Sequence, residues 1–212
     1  MKKFYFIVLI GIFFLISGEI SKSAPNISCP SGYTHYSRTV TITVGGTTCN
    51  YIIDICVLCE NVTHIDSLTI ILKAFRTLDT CNQDPNLVHA AIYDLILSTS
   101  WINTNIPFEC FTGFKPCNEG YTLITGIDPV CWKKVGYLDD ENNLKIAYVG
   151  CYENCECITI YEICWDGRQY VKRIHYGPFI AGNCACSQVE PPDPTAPDEE
   201  TDCFYLDGPC YP

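Results

Sequence analysis

Alternation of apolar and polar positions marks the first folded element. Val40, Ile42 and Val44 alternate with Thr39, Thr41 and Thr43, Gly45-Gly46 follows, and Thr47 to Cys56 is strand-like again. Two glycines between such runs predict a two-residue hairpin turn, whose central residues need positive φ. Folding about it sets Ile42 opposite Cys49, Val40 opposite Tyr51 and Arg38 opposite Ile53, so that one face is apolar and the other carries Thr and Asn. A second hairpin is predicted where Ile158 to Trp165 runs into Asp166-Gly167 and Arg168 to Tyr176 returns, with Ile163 opposite Tyr170 and Trp165 beside Arg168.

Between the hairpins the pattern turns helical. Asp84-Pro85 reads as cap and first helical residue, and Leu87, Ala90, Ala91, Leu95 and Leu97 follow up to Ser98. A shorter helix is expected after an Asp66 cap, with Leu68, Ile71, Leu72, Phe75 and Leu78 on one face, against the β-branched bias of Thr69-Ile70-Ile71. The fold class that follows is a β-dominated, disulfide-rich α+β body: two related β-hairpin modules with a helical insertion between them. Their relation rests on spacing, since Cys29-Pro-Ser-Gly-Tyr-Thr is echoed by Cys117-Asn-Glu-Gly-Tyr-Thr, and the Cys49 to Cys56 segment by Cys157 to Cys164, in the same order. Copy one spans about 29–59, the insertion about 64–100 and copy two about 117–186.

The two ends differ from this body. Lys2 and Lys3 precede an apolar run from Phe4 to Ile16, with small residues at Ser17, Gly18, Ser21, Ser23 and Ala24, which is the order of a secretory signal. The run is shorter than the roughly 20 residues a membrane span needs, so the expectation is a cleaved signal over 1–24 and no membrane span afterwards. Ser21 and Ser23 suit cleavage before Ala24, and Gly18 is the other candidate. Glu190 to Asp202 holds four prolines and six acids, and reads as an acidic, extended linker to a C-terminal loop over 203–212.

Export gives the cysteines their meaning. All 16 of them, Cys29, Cys49, Cys56, Cys59, Cys81, Cys110, Cys117, Cys131, Cys151, Cys155, Cys157, Cys164, Cys184, Cys186, Cys203 and Cys210, follow the signal, and an even set at this density in an exported chain reads as a disulfide framework. Cys49 and Cys56 lie seven residues apart on one strand, roughly 23 Å, and their odd spacing points them to opposite faces, so they do not bond each other. The same argument separates Cys157 from Cys164. Cys203 and Cys210 share that spacing, but Asp207-Gly208-Pro209 lets the chain double back, and they are expected to pair beyond the linker.

Composition narrows the function. Removal of the signal leaves 10 basic and 23 acidic residues, a formal charge of −13, and no Lys/Arg cluster suited to nucleic acid. Cys56-Val-Leu-Cys59 is followed at once by Glu60, which opposes a low thiol pKa, and Cys151, Cys155, Cys157, Cys184 and Cys186 lack paired zinc-knuckle spacing. His35, His64, His89 and His175 stand apart in sequence, with no G-x-S-x-G or H-E-x-x-H, so no catalytic residue, metal or cofactor is expected. The short Thr39, Thr41, Thr43 rank is read as a solvated β face. Tyr161, Trp165, Tyr170 and Tyr176 crowd the second hairpin, where filling a small core alongside the disulfides is the favoured reading and a protein- or carbohydrate-binding surface the other. Asn26-Ile-Ser and Asn61-Val-Thr are glycosylation acceptors in a host that modifies exported chains.

The sequence-based expectation is a secreted (extracellular or periplasmic) non-enzymatic binding or structural protein with an extracellular protein or carbohydrate as partner. The alternative is a thiol-active or metal-binding secreted protein. Mass spectrometry separates them: full pairing puts the oxidised chain about 16 Da below the reduced one and leaves no thiol to alkylate in denaturant.

Overall fold

The computed structural model describes residues 24–59, 67–151 and 155–210. The expected signal up to Ser23, and Asn61, His64 and Asp66, lie outside the described residues. The elements run β1 (Thr34–Val44), β2 (Thr47–Cys59), β3 (Ser67–Thr77), α1 (Pro85–Ile96), α2 (Thr99–Asn105), β4 (Thr122–Pro129), β5 (Cys131–Leu138), β6 (Leu144–Gly150), β7 (Cys155–Trp165), β8 (Tyr170–Gly182) and β9 (Phe204–Tyr205). The strand-dominated fold with helices between two sets of hairpins agrees with the expected class.

The first hairpin forms in the expected register, with Ile42 opposite Cys49, Val40 opposite Tyr51 and Arg38 opposite Ile53, about Gly45 (φ 58°) and Gly46 (φ 83°). On its polar face Thr41 donates to the Asn50 side chain at 2.9 Å and Thr43 meets Thr48 at 2.9 Å. The second hairpin is shifted by two residues. Trp165 pairs with Tyr170 and Ile163 with Lys172, because four residues rather than two make the turn. Asp166 closes that turn: its carboxylate accepts from the N–H groups of Arg168 and Gln169, both at 2.8 Å, and its own N–H donates to the Gln169 carbonyl. A shift of two preserves which face each side chain occupies.

The shorter helix expected over Leu68 to Leu78 is a strand. β3 sits inside the sheet, pairing with β2 along one edge and, along the other, with β4 in parallel over Ser67–Ile71 and with β6 over Ala74–Arg76. Leu68, Ile70, Ile71, Leu72, Ala74 and Phe75 are all buried. A strand covered on both faces loses its period-2 signature, which lets the pattern imitate a helix, and the β-branched run reports the true preference. Lys73 is the extra residue of a bulge there, between the Ile55–Leu72 and Asp54–Ala74 pairs.

Asp84 caps α1 as expected, accepting from the Asn86 N–H at 2.9 Å with Pro85 in the first turn. Ser98 does not end that helix. It caps α2, a helix absent from the pattern reading, by accepting from the Trp101 N–H. Val88, Ile92, Ile96, Trp101 and Ile102 pack with Ile53, Ile55, Val57, Leu68 and Ile70 as the main core. The sheet runs β8-β7-β4-β3-β6-β5-β9, with β2 and then β1 attached to β3.

All 16 cysteines are bonded. Cys49 joins Cys81 and Cys56 joins Cys29; Cys157 joins Cys210 and Cys164 joins Cys117, so neither seven-residue pair is bridged. Cys59–Cys110 ties the end of β2 to the chain after α2. Cys29–Cys56 and Cys117–Cys164 connect matching positions of the two echoed motifs, and their glycines, Gly32 and Gly120, both have positive φ. The remaining bridges, Cys131–Cys186, Cys151–Cys203, Cys155–Cys184 and Cys157–Cys210, gather with Val130 into a second core.

Two expectations about the C-terminal region are corrected. Cys203 and Cys210 do not pair with each other; they bond Cys151 and Cys157, so 203–210 is sewn to the body and is no independent loop. The acidic stretch is no free linker either. Lys134, buried on β5, directs its ammonium to Asp193 at 2.6 Å, Glu190 at 2.7 Å and the Pro191 carbonyl at 2.9 Å. Backbone bonds join Gly136 to Glu199 and Asp198, and Lys134 to Thr201. Charges that repel one another in an isolated segment are here counter-charges for a cation that would otherwise be buried alone.

Deletion of Glu190 to Pro212 therefore leaves Cys151 and Cys157 without partners: alkylation in denaturant is expected to count two new thiols. Each lost bridge closes a loop whose constraint is worth about 4 kcal/mol on the chain-entropy model, so calorimetry should show Tm lower by ~10 °C or more. Gly136 leaves no room for a side chain, because a Cβ there would lie 2.2 Å from the Ala196 carbonyl oxygen. Gly136→Ala is expected to cost about 1–3 kcal/mol and to make 190–202 the first site of proteolysis, read by limited digestion of the full chain.

Candidate functional site

Two arrangements stand out once the chain is folded: an exposed aromatic hairpin and a sealed histidine–carboxylate pair. The hairpin is β7–β8. β7 is held inside the sheet by β4, whereas β8, the terminal strand, has only β7 as partner among the described residues. Its thirteen residues lie at the rim of the fold. Of twelve large apolar side chains exposed among the described residues, six lie in this hairpin, including Trp165 at 37 %, Ile174 at 55 % and Tyr176 at 60 %.

Ring contacts order part of this face. Trp165 and Tyr170 lie 4.9 Å apart, Tyr170 also meets Phe114 at 5.1 Å, and its hydroxyl accepts from Asn103 at 2.9 Å. Tyr176 packs on Phe179 at 5.0 Å. Of the four aromatic residues noted in the sequence, Tyr161 is withdrawn: it packs against the main core beneath Lys172, whose ammonium stands 4.1 Å from its ring centre and donates to the Leu97 carbonyl. Burial pushes the Lys172 ammonium below its ordinary pKa. Beside it Arg173 binds Glu162 and covers Tyr121, and His175 meets the same carboxylate at 2.7 Å. The Arg173 hydrogen bond holds Glu162 below the usual carboxylate range.

The three histidines among the described residues acquire carboxylate neighbours. His35 lies 3.1 Å from Asp54, whose other oxygen takes Arg76 at 2.5 Å, and His175 faces Glu162. His89 is the one fully enclosed. Its Nε2 is 2.9 Å from Asp128 of β4, and its Nδ1 donates to the Asp207 carbonyl at 2.7 Å. Phe75 and Trp132 pack around the ring. Asp128 stands opposite Cys157, and the Cys157–Cys210 bridge draws 206–210 over the pair; Gly208 is so close that a Cβ would come within 3.1 Å of both side chains. Position in the sequence carries no sign of this pair, because 39 residues separate its members.

A carbonyl only accepts, so Nδ1 carries a proton, and a second proton lies between Nε2 and Asp128. Burial by itself would lower the His89 pKa, but the facing carboxylate and both hydrogen bonds outweigh it, and the imidazole holds its proton above its ordinary pKa. Burial also pushes the Asp128 carboxyl up. With both side chains sealed, the pair has no open side for a reactant and acts as a lock between α1, β4 and the C-terminal segment.

Cys56 and Cys59 do not pair with each other, and Cys151, Cys155, Cys157, Cys184 and Cys186 are all in disulfides. No helix among the described residues is long and apolar enough to cross a membrane. No protein-family model matches the chain, and neither does any curated protein or solved structure.

The lock has a pH signature. Because folding raises the His89 pKa above its ordinary 6.5, its contribution is complete below that pH and fades as pH rises through the folded value. Lys73, lowered by burial to about 8, acts in the opposite sense at higher pH, so the clean window is pH 6.5 to 8. Tm is expected to fall across that window. In Asp128→Asn the amide donates to a neutral His89, and the slope should flatten; calorimetry at a series of pH values checks both.

Proposed function

We propose that this is a secreted, non-enzymatic binding protein whose β7–β8 hairpin contacts an extended segment of another extracellular protein. The observation that carries this reading is the gathering of exposed apolar side chains on a terminal hairpin, Trp165 at the end of β7 and Tyr170, Ile174 and Tyr176 on β8, whose outer backbone edge has no partner among the described residues. The register sets Trp165, Tyr170 and Ile174 on one face of the hairpin and Tyr176 on the other, and the open edge between them offers the main-chain donors and acceptors that add a partner strand. Pro178 lacks an N–H, so the pairing stretch lies toward Tyr170–Tyr176. Bridges at Cys155, Cys157 and Cys164 anchor β7, the partner of β8, and the full set of disulfides accords with an oxidising compartment. The thiol-active or metal-binding alternative has no free sulfur to draw on.

We also read the two echoed motifs as copies of one unit. Matching disulfides and matching positive-φ glycines support that reading.

Replacing Ile174 and Tyr176 together by Lys tests the function. Surface changes of this kind move stability by about 0.5 kcal/mol or less, so Tm stays in place. Crosslinked capture from the native extracellular fraction is expected to drop by ~10-fold or more relative to the unaltered protein. Equal capture by both proteins would remove the hairpin from the binding surface.

A further inference from the structure

We propose that a cleft at the start of α1 is a binding site for a neutral saccharide of one or two rings. The cleft holds about 360 Å³ and lies where the end of β3, the 77–83 loop, the first turn of α1 and β6 meet. That size falls in the lower part of the range of small-ligand sites. It is separate from the β7–β8 face and does not depend on it.

Its walls are built and held. Half-buried Tyr148 stacks in parallel on Phe75, 4.9 Å apart with 4° between the ring planes, and is the accessible aromatic side chain of the cleft, with Phe75 and Tyr51 buried behind it. The opposite rim is polar. Cys49–Cys81 pins that rim to β2, the Asp79 carboxylate accepts from the Asn50 N–H at 2.7 Å, and Gln83 both donates to the Thr47 carbonyl and accepts from the Tyr51 hydroxyl. A loop tied down at four points has little freedom to lose when a ligand arrives.

The balance of groups selects the ligand class. Two cations and two anions line the cleft, and each is already engaged within the fold: Arg76 by Asp54, Asp193 by Lys134, Asp79 by Asn50, and Lys145 at 4.0 Å from Asp139. The two cations and two anions sum to zero, and only the Asp79 carboxylate, held by a neutral N–H, lacks an ionic partner among the described residues, so the cleft has no net charge with which to draw an ion. An apolar ligand would strip water from the Asn82 amide and give it no partner in return. A saccharide presents C–H faces for the aromatic side and hydroxyls for the rim, where the exposed Asn82 amide has no hydrogen bond among the described residues.

The test titrates cellobiose, maltose and N,N′-diacetylchitobiose separately into isotope-labelled full-length protein. NMR follows the side-chain amides of Asn82 and Gln83 and the Tyr148 ring. At least one sugar is expected to shift these signals saturably, with half-saturation near or below ~1 mM. Asn82→Ala, on the exposed rim, should weaken that binding by about fivefold with Tm unchanged, and Tyr148→Leu should abolish it. Absence of a saturable shift with all three sugars, shifts confined to β8, or undiminished binding in Asn82→Ala would each overturn the proposal.

Discussion

The bridges Cys151–Cys203 and Cys157–Cys210 are the constraint on which the far half of the molecule rests. They turn the C-terminal region from an appendage into structure, carrying it back across β5 and over the end of α1. Phe204 and Leu206 become fully buried, β9 forms against Cys131 and Trp132, and Asp207 closes over His89. A covalent link makes this possible because a segment so acidic and proline-rich has little apolar surface with which to hold itself in place.

Two polar interactions depend on that tether, and each has a buried side chain that would be costly alone. Lys134 needs Glu190 and Asp193, which arrive only with the segment between Cys186 and Cys203. His89 needs the Asp207 carbonyl as well as Asp128. Buried charge and buried hydrogen-bond donors gain little over water when satisfied but are expensive when abandoned. The disulfides and the polar contacts thus support each other: the bridges bring the partners, and the partners fix how the tethered chain lies.

The other constraint is the place of β3. By pairing with β2 on one edge and with both β4 and β6 on the other, it unites the two hairpin sets and the β5–β6–β9 arm in one sheet. The changeover from β4 to β6 falls beside the bulge that holds Lys73. The two surfaces with binding character lie on opposite sides of this junction in the strand order: β8 at the far end of the β4–β7 side, and the cleft where β3 meets β6 and α1. Disulfides brace each of them indirectly, β8 through its partner β7 and the cleft through the Cys49–Cys81 bridge of its loop.

Local features were legible along the chain. Alternation and Gly45-Gly46 specified the first hairpin to the residue, because a pleat admits one register once a face is apolar; Asp84-Pro85 specified the start of α1; and an odd seven-residue spacing along extended strands excluded the Cys49–Cys56 and Cys157–Cys164 bridges. The aromatic face of β7–β8 was legible as composition, although Tyr161 turned inward and the Asp166 turn moved the register by two. Packing settled β3, whose two-sided burial erased its period, and the partners of Cys203 and Cys210, which proximity along the chain favoured for each other and the folded body drew apart. The His89–Asp128 pair and the saccharide cleft belong to the same group. Their side chains come from strands, helix and tail far apart in the chain, and such encounters are set by how elements pack, which no local pattern records.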